Sequence, residues 1–287
     1  MADPVTQTVD GVSFSLLEGA DFSWLRDLGR VFRVFDQQDS GNIAFGVERD
    51  GKRSFVKYAG ARTVNYRGAP RDAVATLRAA TQAYRELAHP VLIPMLEELA
   101  VPGGFAIRFD WFPGESLHPH WEYPPPRKYT DPGSPFYRFR RLPMANRLEA
   151  YRRIVEFHAF VERSGYVAID FYDGCLLYDF PTDRLGICDI DFYRPRPYRN
   201  SMGRLWGSTR FMAPEEFALG AEIDERTNVY GMGAMAFCLL GGERDRTIER
   251  WEAGPARYAV ARRAVCEDRA ERYPSVGDYL RAWSEAS

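Results

Sequence analysis

The chain has 287 residues, 45% hydrophobic and 27% charged, with 38 Lys and Arg against 40 Asp and Glu for a formal charge of −2. That composition excludes a disordered chain. The near-neutral balance gives no global case for binding nucleic acid or a membrane surface, so no nucleic-acid partner is expected.

In chain order, residues 1–24 lack a signal-peptide pattern and read as an N-terminal extension. Residues 31–35 alternate as a strand, 36–41 supply turn residues and 42–48 form a second strand. Asp50-Gly51 is a strong hairpin turn into a third strand at 54–58. A helix follows Pro70, where Ala75, Leu77, Ala80, Tyr84 and Leu87 recur at helical spacing. Residues 91–99 and 105–112 read as further strands. The proline- and aromatic-rich stretch 118–143 has no period. An amphipathic helix spans 147–163, with Leu148, Tyr151, Val155, His158 and Val161 on one stripe. Short strands at 175–179 and 185–188 flank the Pro181-Thr-Asp turn. Residues 227–240 are nonpolar on nearly every side, as a buried helix requires, and 257–286 are mostly helical, broken at Pro274. The longest nonpolar stretch, 232–242, falls short of the about 20 residues of a bilayer span. Cys175, Cys188, Cys238 and Cys266 form no CxxC pair, so neither a zinc site nor a disulfide framework is indicated. The expectation is an α+β, cytoplasmic protein with a β-rich lobe over 25–110 and a mainly helical lobe over 111–287.

Three features carry chemistry. Phe55-Val-Lys57-Tyr places a lysine on a strand behind the bend at Ser40-Gly41, where exposed backbone amides can approach phosphate oxygens. A strand lysine alone is most often a solvated side chain. Asp170-Phe-Tyr-Asp173 sits between a helix and a strand, and Asp189-Ile-Asp191 sits at a strand end about nineteen residues on. One carboxylate of such a group accepts a proton while another holds Mg²⁺, although turn aspartates commonly just bond local backbone.

The third feature is a set of segments: Gly207-Ser-Thr-Arg-Phe-Met-Ala-Pro-Glu215, Ile223-Asp-Glu-Arg-Thr-Asn-Val-Tyr-Gly-Met-Gly233 and Glu271-Arg272-Tyr-Pro-Ser-Val. In this order they resemble the C-terminal lobe of the protein kinase family, of the serine/threonine kind, and the likeness extends over about residues 25–285. It implies a bilobal fold with ATP and Mg²⁺ held between the lobes. It further implies Lys57 on the ATP phosphates, with Ser40 and Gly41 in the phosphate loop, and Asp110 and Phe112 in the segment meeting the adenine. Asp170 becomes the catalytic base and Asp189 the metal ligand, with Asp191 or Asp173 as a further oxygen donor. Taking Asp191-Phe192 as the metal motif is the other register. Asp189 is preferred because Leu185 and Ile187 then alternate inward on the preceding strand. Glu215 and Arg272 are implied to form a buried structural ion pair.

The chain also departs from the family pattern. Asp36 and Gln38 replace the first two loop glycines, and Ala80 stands where a helix glutamate pairs the strand lysine, Glu86 lying more than a turn away. Ala168 and Ile169 replace the His and Arg before the base, which removes the usual anchor for a phosphorylated activation segment. Tyr172 replaces a lysine, Asn228 an aspartate, and Cys175 an asparagine ligand, a poor exchange for Mg²⁺. Arg194, Arg196, Arg199, Arg204 and Arg210 lie between Phe192 and Pro214 with no acid among them. They suit either a solvated segment or an acidic or phosphate-bearing acceptor or partner.

The leading expectation is therefore an ATP- and Mg²⁺-dependent phosphotransferase, a bacterial-type serine/threonine protein-kinase-like enzyme acting on a hydroxyl. A pseudokinase that binds nucleotide and recruits a partner, and a small-molecule kinase, are the alternatives.

Overall fold

A computed structural model describes residues 3–286. The chain is α+β, with several antiparallel sheets and a set of helices, and it divides into two compact units. The first comprises the chain up to Ala88 together with Ile93–Phe112; the second comprises His89–Leu92 and the chain from Pro113 onward.

The first unit opens with a hairpin, β1 (Val5–Val9) and β2 (Val12–Leu16). Asp10 and Gly11 turn it with φ of 51° and 87°, a pair of left-handed residues that matches strand twist. The hairpin and the turn after it are part of the core. Phe14 and Phe22 pack with Phe45 at ring distances of 5.9 and 5.2 Å, and Leu16 is fully buried. Residues expected to form an extension thus belong to the first unit's hydrophobic cluster. The sequence signal was present, since Asp10-Gly11 lies between two short runs rich in strand formers, as Asp50-Gly51 does between its strands.

A five-stranded antiparallel sheet follows, in the order β3-β4-β5-β7-β6. Its strands are β3 (Arg30–Phe35), β4 (Asn42–Arg49), β5 (Lys52–Ala59), β6 (Met95–Val101) and β7 (Gly104–Asp110). Asp50-Gly51 closes β4 onto β5 in unbroken register from Asn42↔Ala59 to Arg49↔Lys52. Alternation along β5 sends Val56 and Tyr58 into the cluster beside the hairpin and puts Phe55 and Lys57 on the other face. Helix α1 (Pro70–Glu86) covers that other face, with Tyr84 against Phe109 at 4.9 Å. The strand expected at 91–99 begins only at Met95. Leu92 N–H turns back to the His89 carbonyl, and Pro94 has no N–H to give a ladder.

The second unit is mainly helical. The expected irregular stretch 118–143 contains two short helices, α2 (Arg127–Thr130) and α3 (Pro135–Phe139), after the two-residue strand β8 (Glu115–Ser116). Helix α4 (Met144–Arg163) leads through β9 (Tyr166–Val167) to the hairpin β10 (Leu176–Asp179) and β11 (Arg184–Ile187). The ribbons β12 (Arg194–Pro195), β13 (Tyr198–Arg199) and β14 (Glu222–Ile223) precede α5 (Glu225–Leu240). Helix α5 is buried on nearly every side, as its composition predicts. The Tyr151 hydroxyl of α4 donates to its Met232 carbonyl at 2.8 Å. Helices α6 (Pro255–Ala264) and α7 (Val276–Glu285) pack around it. No helix among the described residues is long and apolar enough to cross a membrane.

Candidate functional site

Six non-glycine residues have φ in the left-handed region among the described residues. Asp10, Asp50 and Asp183 close hairpins; two of the others are Asp170 (62°) and Asp189 (59°), which close none. Aspartate tolerates this conformation better than most residues, and such backbone concentrates at functional sites. The two loops meet at one side chain. The buried Cys175 thiol lies 3.5 Å from the Asp170 carbonyl oxygen and 3.8 Å from that of Asp189. Cys188 N–H, next to Asp189, donates to the Cys175 carbonyl at 2.9 Å. Burial first, then the neighbouring Asp189, hold the thiol well above its ordinary pKa. The thiol is thus held as a protonated donor between the two backbone carbonyls.

The Asp170 loop is held from two further directions. Asn228 on α5 accepts from Ala168 N–H at 2.8 Å and donates to the Tyr166 carbonyl at 3.3 Å. An aspartate could make only the first of these bonds, so the amide tethers both strand and loop. Gly207 (φ 143°) comes close on the other side: a Cβ there would lie 3.7 Å from Asp170 Cα and 3.1 Å from Met212.

Between these segments is a cavity of about 20 Å³, room for one water-sized group, lined by Asp170, Ser208, Glu216, Thr227 and Asn228 among others. Glu216 is buried and accepts from Ala213 N–H at 2.6 Å. Burial, reinforced by the carboxylates of Glu215 and Asp170, pushes its pKa up to about 8. Below pH 4.5 Glu216 is protonated in both the folded and the unfolded chain. Between 4.5 and 8 only the folded chain keeps the proton, so this group's stabilisation is lost as pH rises through that window. Glu216→Gln is accordingly expected to melt several degrees above the wild type at pH 8, at roughly 2–4 °C for each kcal/mol, and level with it at pH 4. A difference in melting temperature that does not vary with pH would remove Glu216 as a buried acid.

The structure places Asp173 elsewhere than its expected role as a metal donor. It is fully buried and both its oxygens face cations: Arg210 at 2.7 and 3.0 Å, and the equally buried Lys128. Burial pushes the carboxyl up, but the two cations outweigh it and hold the pKa well below the carboxylate range. Ligand atoms of Asp173, Cys238 and Glu243 lie within 4.8 Å of one another, a spacing a metal can use. Lys128 and Arg210 already neutralise that cluster, and Asp173 is their ion-pair partner. Nothing local to Asp173 in the chain announced these partners.

Of the remaining carboxylates, Asp189 is exposed and Asp191 is buried, so Asp189 is the one solvent ions reach. Lys57, Ser40, Gly41, Asp110 and Phe112 belong to the first unit. Lys57 is buried at mid-strand on β5, between Ala44 and Ile107 of the adjacent strands. Gly41 (φ 82°) has a packing reason to be glycine, because a Cβ would come within 2.7 Å of Tyr66 and 2.8 Å of Ala73. The Ser40 hydroxyl accepts from Asn42 N–H at 3.4 Å. Asp110 ends β7, its N–H donating to the Pro94 carbonyl and its carboxylate accepting from Trp111 N–H, each at 2.9 Å. Phe112 is half-buried at the end of the unit.

Of the five arginines, Arg199 and Arg204 are exposed and the other three are half-buried. Arg194, Arg199 and Arg204 donate to backbone carbonyls, Arg196 pairs with Glu225, and Arg210 with Asp173 and Glu243. Buried His158 spans the Ile154 carbonyl and the Tyr193 hydroxyl, the packed role its helix position suggests. Neither a protein-family model nor a curated protein sequence matches the chain.

Proposed function

We propose that this chain is an ATP- and Mg²⁺-dependent phosphotransferase of the protein-kinase-like fold, passing the γ-phosphate to a hydroxyl acceptor. The observation that carries the reading is the pair of left-handed aspartate loops, Asp170 and Asp189, joined through Cys175. The tether from Asn228 and the approach of Gly207 to Asp170 support it.

Asp189, an exposed hard-oxygen donor, fits Mg²⁺, with Asp191 two residues on. Bound Mg²⁺ neutralises phosphate charge and orients the transferred group. Asp170 borders the cavity beside Ser208, and its carboxylate orients the acceptor hydroxyl and takes its proton. Lys57 neutralises phosphate oxygens, with the Ser40 and Gly41 amides at the bend that leads into its paired strand β4, and the 110–112 backbone meets the adenine edge.

Cys175 favours a second reading, a pseudokinase-like module that binds nucleotide without transferring phosphate. Its thiol faces backbone carbonyls where the first reading wants an oxygen ligand. Within either reading the partner is ATP together with a protein or small-molecule acceptor. Arg196 and Arg210 are paired with acids, while Arg199 and Arg204 stay exposed with only carbonyl partners, so the reading keeps an acidic or phosphate-bearing acceptor.

Thermal shift with ATP, with and without Mg²⁺, followed by transfer of labelled γ-phosphate, separates the readings. A Mg²⁺-dependent shift with transfer is expected. A shift without transfer or ATP hydrolysis selects the second reading, and no shift overturns both.

A further inference from the structure

The segment following Gly207 approaches the Asp170 loop at one place and is fastened to it at a second. Gly207 lies against Asp170, and three residues further along each strand of chain Arg210 grips Asp173. The grip is bidentate, Nη2 to Oδ1 at 2.7 Å and Nη1 to Oδ2 at 3.0 Å, the strong geometry for a guanidinium and a carboxylate. Arg210 Nε also donates to the Ser208 hydroxyl at 3.1 Å, and Nη1 reaches Glu243.

Behind the pair, fully buried Lys128 of α2 contacts Asp173 and lies 3.6 Å from Glu243, whose other oxygen accepts from the Tyr129 hydroxyl at 2.6 Å. Two cations therefore meet two carboxylates, contributed by four separate stretches of chain. Buried charges persist only when paired and hydrogen-bonded, as these are.

We propose that Arg210 and Asp173 form a permanent internal latch that positions Gly207-Ser208 against Asp170, so that the segment is held without a phosphate. The proposal rests on the phosphotransferase reading for its catalytic consequence. Arg210 is a positioning residue, acting on the reacting centre through Ser208 and the Asp170 loop. The chain has no arginine beside Asp170 to receive a phosphorylated segment, Ile169 standing there instead. It carries the arginine on the segment and the fixed carboxylate in the loop. Lys128 and Glu243 keep the assembly neutral, so the latch needs no added charge to close.

The test uses the full chain with Arg210→Ala and Arg210→Lys, and with Arg199→Ala as a control outside the latch. Backbone hydrogen exchange over residues 204–213 is expected to rise in Arg210→Ala. Turnover is expected to fall by about tenfold or more, since misplacing a group near the reacting centre by about 1 Å costs on the order of a hundredfold. KM for ATP is expected to stay put. Arg210→Lys, which keeps the charge but not the fork, is expected to fall between, and Arg199→Ala to match the wild type. Phosphatase treatment of the wild type is expected to leave turnover unchanged. Turnover lost on dephosphorylation would overturn the latch, as would a variant with a lower melting temperature but unaltered kcat and exchange. If the wild type transfers no phosphate, the phosphotransferase reading fails by itself. The exchange measurement then decides the latch alone, unchanged protection of 204–213 overturning it.

Discussion

Asp170→Asn is expected to retain ATP binding and lose phosphate transfer by about 10²–10⁴-fold, the range of a positioned general base. The substitution isolates the proton-accepting function. Asparagine has nearly the same shape, tolerates the left-handed backbone that Asp170 adopts, and leaves the Asp170 carbonyl beside Cys175 in place. The amide can orient a hydroxyl but takes no proton at neutral pH. Single-turnover transfer of labelled phosphate, with thermal shift by ATP as the measure of binding, gives both numbers. Transfer at the wild-type rate would eliminate Asp170 as the base and move the chemistry elsewhere.

Arg272→Ala is expected to destabilise the second unit by about 3–5 kcal/mol, the scale for removing one partner of a buried ion pair. Arg272 has a fully buried side chain and bonds both oxygens of Glu215, at 2.7 and 3.1 Å. Its other N–H groups reach the carbonyls of Cys266, Arg226 and Glu267, and its guanidinium carbon lies 4.9 Å from the Tyr230 ring centre. Burial pushes the Glu215 carboxyl up, but Arg272 outweighs it and holds the group below its usual range. Removing the arginine leaves a buried carboxylate with only the Thr227 hydroxyl, at 2.8 Å, as a side-chain donor among the described residues. Urea unfolding at pH 7 measures the loss. The double variant Glu215→Leu/Arg272→Met is expected to recover much of it, because apolar replacement of a whole pair is often neutral. A loss below about 1 kcal/mol for Arg272→Ala would place the pair among weak surface contacts.

Much of the local structure was legible. Asp50-Gly51 between alternating strands specifies a hairpin in any context, because few residues other than glycine and aspartate or asparagine accept the backbone that turn demands. The all-round apolar pattern of α5 specifies burial in the same way. The contact between Glu215 and Arg272, separated by 57 residues, was reached only because each stood in a motif whose likeness carried the pairing with it. Asn228 stands where the family pattern has an aspartate; its bonds to Ala168 N–H and to the Tyr166 carbonyl needed the fold.

The near-neutral charge, the alternation of β4 and β5, the helical periods of α1 and α4, and the positions of Asp170 and Asp189 at the ends of short elements were determined by sequence alone. These are properties of neighbouring residues, and backbone sterics and periodicity act at that range. Tertiary structure decided what the charged groups do. Asp173 sits in a stretch of carboxylates fit for a metal, yet its partners Arg210 and Lys128 lie 37 and 45 residues away and neutralise it. In the arginine-rich stretch, distant acids close on Arg196 and Arg210, whereas Arg194 and Arg204 bond carbonyls of their own segment and Arg199 and Arg204 stay exposed. An ion pair forms between groups that folding brings within a few ångströms, and for these groups that proximity is set by the packing of whole elements rather than by anything written beside them in the chain.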